Sequence, residues 1–137
     1  MSNKASVLLV GHCGPDSFML RRAVKTMLGT DDVVFINSSE DLESALPDAS
    51  LVLVNRVLDG SFEHESGIEL IRSLAGRTGA RLMLVSNYPE AQAEAVAAGA
   101  VPGIGKADLL SEQTRQRLKA AFAGVERKPN DPQSDQD

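Results

Sequence analysis

The chain has 137 residues, 42% of them hydrophobic, and a formal net charge of −5. That length suits one domain rather than two, the acidic balance argues against a general nucleic-acid binder, which needs a basic patch, and the lone thiol, Cys13, cannot close an internal disulfide, which fits a reducing cytoplasm. No run approaches the roughly 20 apolar residues of a membrane span, and Ala5–Val10 is too short for the apolar core of a signal peptide.

After a polar lead, Ala5–Val10 forms a near-continuous apolar run, as in a strand covered on both faces. It stops at Gly11-His12-Cys13-Gly14. Pro15 and Asp16 suit the first turn of a helix, which runs to about Leu28 on a stripe of Phe18, Leu20, Ala23, Val24, Met27 and Leu28 and stops at Gly29. Val33–Ile36 is a second strand. Ser38 and Asp41 cap a short second helix that ends before Pro47. Ser50–Asn55 is the central strand, four apolar residues closed by one amide, followed by a loop over residues 56–66 and a helix from Gly67 to Leu74. Arg81–Ser86 is the fourth strand. Pro89 opens an Ala-rich fourth helix that ends at Gly99. Val101–Gly105 is a short fifth strand, and a fifth helix spans Leu109 to Ala123, with Leu110, Thr114, Leu118, Ala121 and Phe122 along one side.

Strands alternating with helices imply right-handed crossovers and a parallel sheet. Five such units in this length predict an α/β, flavodoxin-like three-layer sandwich with strand order 2-1-3-4-5, whose chemistry sits beyond the tips of the first and third strands. The domain is expected over residues 1–125 and a disordered polar tail over 126–137, where prolines are the only apolar residues.

The order and spacing of Val7-Leu8-Leu9-Val10 with Leu20-Arg21-Arg22-Ala23, of Leu51-Val52-Leu53-Val54-Asn55, of Gly67-Ile68-Glu69-Leu70-Ile71, of Leu82-Met83-Leu84-Val85-Ser86, and of Ala95–Ala100 with Lys106 just after, resemble a response-regulator receiver domain of the CheY-like fold. The resemblance covers about Val7 to Phe122 and implies a two-component signalling module. In that family two acidic residues after the first strand hold Mg²⁺, an Asp at the third strand's tip accepts a phosphoryl group, and a hydroxyl and a Lys contact the phosphate. The division is chemically sensible: carboxylate attacks phosphorus, hard oxygens hold the metal, and a cation offsets the charge.

Ser86 and Lys106 match the hydroxyl and the cation. The acidic pair, however, aligns with Gly11 and His12, and the acceptor with Asn55. An amide is a poor nucleophile, glycine offers no ligand, and imidazole is a soft donor for Mg²⁺. Counting Lys106 and a neutral His12, the local charge is about +1 where the family pattern has about −2. Ala107 stands where the family has a proline, and Gly103 where it has the aromatic that couples to the hydroxyl in switching.

The expectation is therefore a phosphorylation-independent pseudo-receiver, not an enzyme, with no metal and no cofactor. It would act by binding a signalling protein or a second copy. The resemblance points to the surface made by the fourth helix, fifth strand and fifth helix, where Ala91, Ala95 and Ala98 would permit close packing. The alternative is a ligand sensor that binds a small anion or metabolite in the pocket of His12, Asn55, Ser86 and Lys106. Four lesser expectations accompany it: Cys13 as a buried thiol, residues 56–66 as a mobile polar loop, Lys106 bonded to Asn55 and backbone carbonyls, and Tyr88 facing a partner or covering the fourth helix.

Overall fold

The computed structural model describes residues 6–126. Five parallel strands, β1 (Ser6–Val10), β2 (Val33–Ile36), β3 (Ala49–Asn55), β4 (Arg81–Val85) and β5 (Val101–Ile104), form one sheet in the order 2-1-3-4-5. They alternate with α1 (Gly14–Leu28), α2 (Ser39–Ala45), α3 (Gly67–Leu74), α4 (Pro89–Ala98) and α5 (Glu112–Glu126). This is the predicted flavodoxin-like α/β fold. Glu126, expected in the tail, ends α5; the rest of the expected tail and the polar lead lie outside the described residues.

The uninterrupted apolar runs have their cause in the two layers that cover the sheet. Val7, Leu9, Leu51, Leu53, Met83 and Val85 pack against Leu20, Val24 and Leu118 of α1 and α5. Leu8, Val10, Val52, Val54, Leu82 and Leu84 pack against Ile71, Leu74, Ala91 and Ala95 of α3 and α4. Alternate side chains of a strand face opposite ways, so a strand buried on both sides carries no polar register. Only its ends can present polar groups, which confines chemistry to the tips.

Several expectations need correction. Phe18 is 62% exposed; it lies outside the core stripe of α1, edge-on to Phe35 of the edge strand at 5.6 Å between centroids. Cys13 is exposed, not buried. α5 starts three residues late, because Ser111 accepts from the Thr114 N–H at 3.1 Å as a cap; Leu109 is tucked inward and Leu110, off the helix, is 74% exposed. Ala91 and Ala95 face the core, and Ala98 packs against it, so the exposed side of α4 is Ala93, Glu94, Val96 and Ala97.

The loop over residues 56–66 is not a loose excursion. The N–H of Leu58 bonds to Glu65 O at 3.0 Å, Gly67 N–H to Arg56 O at 2.7 Å and Ser61 N–H to Asn37 O at 2.9 Å, while Leu58 and Phe62 pack onto the core. Ser66 closes the loop and opens α3 by accepting from the N–H groups of Ile68 and Glu69. Replacing Ser66 with Ala should cost about 1 kcal/mol, the usual worth of a helix cap, measured as a lower denaturation midpoint at unchanged slope.

Candidate functional site

The tips of β1, β3 and β4 and the turn after β5 meet where the sequence places the site. Asn55, Ser86 and Lys106 share one open cleft of about 300 Å³ with Arg56, Val57, Val85, Asn87 and Tyr88. Ser86, buried, accepts from the Tyr88 N–H at 3.1 Å, and its own N–H donates to Ile104 O at 2.9 Å, so it fastens β4 to β5. Asn87 accepts from the Ala107 N–H at 3.0 Å and holds the turn that carries Lys106.

Gly11 and His12 do not line this cleft. Gly11 has φ +76°, a conformation L side chains rarely adopt, and a Cβ there would lie 2.6 Å from Leu58 Cδ2. The loop thus lays an apolar side chain over the tip of β1, and the Asp59 N–H donates to Gly11 O at 2.9 Å to keep it there. Beneath, His12 is only 2% exposed; with Nε2–H donating to Leu53 O at 2.9 Å, Nδ1 is left without a partner among the described residues. Burial pulls the imidazole from its ordinary 6.5 down to about 4; the bond to Leu53 O and the charge of Asp16 oppose that shift, and the charge of Lys106 reinforces it.

Asn55 uses its amide as a double donor, Nδ2 to Gly11 O at 3.0 Å and to Val57 O at 2.8 Å. Both neighbours are carbonyl oxygens, so only the NH₂ end of the amide fits. A carboxylate at 55 would face two acceptors and could donate to neither.

Lys106 does not bond to Asn55. Its ammonium lies 2.6 Å from Asp16 Oδ2, the side chains being 29% and 25% exposed. The hydrogen bond from Lys106 holds the Asp16 carboxyl below the usual range, with smaller help from the Cys13 thiol. The sequence reads Asp16 only as a helix-dipole residue; the fold sets its carboxylate against Lys106 from outside the cleft lining, which offsets the expected positive charge at Lys106. Arg56, at the rim, sits 4.9 Å over the Tyr88 ring, so Tyr88 covers a cation rather than α4.

The donor set does not fit Mg²⁺. Gly11 has no side chain, His12 is buried and already bonded to a carbonyl, Asn55 offers a neutral amide oxygen in place of a charged carboxylate, and the nearby carboxylate, Asp16, is held by Lys106. Among the described residues no three of His, Cys, Asp and Glu come together in a way that could hold a metal.

At the far side of the cleft, Gln92 of α4 is a residue the sequence did not single out. Its Nε2 reaches Leu84 O and Ser86 O at 3.1 Å and Ile104 O at 3.3 Å, and its Oε1 accepts from the Gly103 N–H at 3.1 Å. Arg117 of α5 donates to Gly103 O at 2.6 Å. A Cβ at Gly103 would collide with Leu84 O and with Gln92 itself. The space an aromatic would need is closed, and α4, β4, β5 and α5 are joined by one polar network.

No family model matches the chain, and no curated protein matches it by sequence. Solved structures do. The signal receiver domain of a DNA-binding response regulator from Colwellia psychrerythraea aligns with a TM-score of 0.69 at 13% identity, over 87% of this chain and 98% of that one. A response regulator from Thermotoga maritima aligns at 0.60 and 23%, over 88% and 98%. The beryllofluoride-activated NtrC4 receiver domain dimer aligns at 0.67 and 13%, over 88% and 98%. The fold is that of receiver domains of signalling proteins.

Two tests follow from this geometry. Because His12 resists protonation when folded and accepts it when unfolded, stability should be full above about pH 6.5 and fall by about 3 kcal/mol as pH drops toward 4. Asp16, held below its ordinary range, adds a further loss only in the more acid limb. Urea midpoints measured between pH 6.5 and 5 should slope downward in the natural chain and be flat in His12→Gln; a flat natural chain contradicts the buried neutral imidazole. Asn55→Asp should lower stability by about 2–3 kcal/mol at pH 7, since two donated bonds are lost, again read from denaturation midpoints.

Proposed function

We propose that the chain is a receiver-like signalling module that works by binding protein, takes no phosphoryl group and is not an enzyme. The observation that carries this reading is the Asn55 amide donating to Gly11 O and Val57 O beneath a loop that sets Leu58 over Gly11. The position at which a receiver would accept phosphate is a backbone clamp, and the position of its first metal ligand lies under a leucine. Attack on phosphorus needs a free carboxylate, and Mg²⁺ needs hard oxygen ligands.

The network of Gln92, Gly103 and Arg117 supports the same reading from the output side. Receivers couple a hydroxyl to an aromatic that changes rotamer; here the aromatic is replaced by glycine and its space by a glutamine bonded on every side. A surface built this way presents one shape, which suits a constitutive contact. The contact surface in this proposal is α4, β5 and α5, and the partner is a signalling protein or a second copy. A receiver of similar fold is itself a dimer.

Incubation of the full chain with acetyl phosphate and Mg²⁺, followed by intact-mass measurement, should show no phosphoryl adduct, and melting should be unchanged by Mg²⁺. Asn55→Asp should stay unmodified too, because Gly11 and His12 still supply no carboxylate. A stable adduct on the natural chain overturns the reading. For the surface, Val96→Glu on the exposed side of α4 should weaken self-association or partner capture, whereas Phe18→Glu at the opposite sheet edge should not. The reverse pattern would move the contact to the α1–β2 edge.

A further inference from the structure

The cleft contains a cation that is already neutralised from within. Lys106 and Asp16 come from opposite ends of the chain and meet at 2.6 Å, both only partly exposed. Asp16 is not one of the cleft's lining residues; it approaches Lys106 from the first turn of α1, and the other groups able to donate into the cleft, Ser86, Asn87 and Arg56, are left facing it. Asn87 pins the backbone of the turn that carries Lys106, which sets the lysine stem beside Asp16. We propose that Asp16 is a built-in anionic occupant of Lys106, which closes the cleft to free oxyanions. This deepens the proposed function and rests on it: a domain that carries its own anion does not wait for one.

The physics is competition at one ammonium. An incoming oxyanion has to break a short charge-assisted bond and then remain near the displaced carboxylate, whose like charge repels it. Removing the charge of Asp16 removes both penalties at once and leaves Lys106, Ser86 and Arg56 around an open cleft.

The test titrates sulfate, at constant ionic strength, into the full chain and follows the Lys106 and Ser86 resonances by NMR. The natural chain and Asp16→Glu should not respond, while Asp16→Asn should bind sulfate at least about tenfold more tightly, and the double variant Asp16→Asn with Lys106→Met should lose that binding. Asp16→Ser replaces Asp16→Asn if the latter does not fold. The proposal is overturned if the natural chain binds sulfate as tightly as the variant, or if the folded variant binds none. Sulfate cannot transfer a phosphoryl group, so the two readings fail separately. A covalent mass gain with acetyl phosphate defeats the proposed function, and sulfate binding by the natural chain as tight as that of Asp16→Asn defeats this inference.

Discussion

The side-chain amide of Asn55 donates to Gly11 O at 3.0 Å and to Val57 O at 2.8 Å, and the tip of the sheet is arranged around those two bonds. Each ties the end of β3 to a backbone segment that would otherwise leave it, the turn after β1 and the start of the long loop. With both segments drawn in, the loop crosses over β1 and Leu58 lies against Gly11, while the next residue, His12, is buried. Every later feature of the site is consistent with that choice of a donor over an acceptor. Glycine stands at 11 because both the left-handed backbone and the leucine exclude a side chain. His12 stays neutral because burial removes the water that would solvate its charge.

The two ends of the cleft are stabilised differently. At the β1–β3 end the contacts are backbone carbonyls and one apolar side chain. At the β4–β5 end they are side-chain polar groups, with Gln92 and Arg117 satisfying both the N–H and the C=O of Gly103. Between them the Lys106–Asp16 pair joins the start of α1 to the turn after β5. A fully satisfied polar network of this kind has one low-energy arrangement, because each alternative leaves a buried donor or acceptor unpaired.

Much of the site could be recognised before its geometry was known, and particular residues show where recognition stopped. Asn55 is legible from its place at a strand end, because strand tips are where a parallel sheet exposes polar groups, whereas Ser86 and Lys106 are singled out by the resemblance to receiver domains. The expected pocket includes His12, which does not line the cleft, and the contact of Leu58 with Gly11 joins residues 47 apart and leaves no local mark near position 11. Asp16 was read from its helix position alone. Its pairing with Lys106 spans 90 residues, and no local pattern encodes it. Gln92 was passed over because a glutamine in an Ala-rich helix is unremarkable until the glycine opposite is known to leave room for it.

The sequence by itself determined the strand order, the aliphatic core on both faces of the sheet, and the identities of Gly11, His12 and Asn55 at the ends of β1 and β3. Those properties are set by local periodicity and by residue identity, which need no coordinates. Only the tertiary structure decided what surrounds the strand tips: Leu58 over Gly11, the Asn55 amide donating twice to backbone carbonyls, Asp16 of α1 on Lys106, and Gln92 against Gly103. Each is a contact between distant segments, governed by shape and by hydrogen-bond direction at the point of meeting. Both properties arise only when the chain has closed.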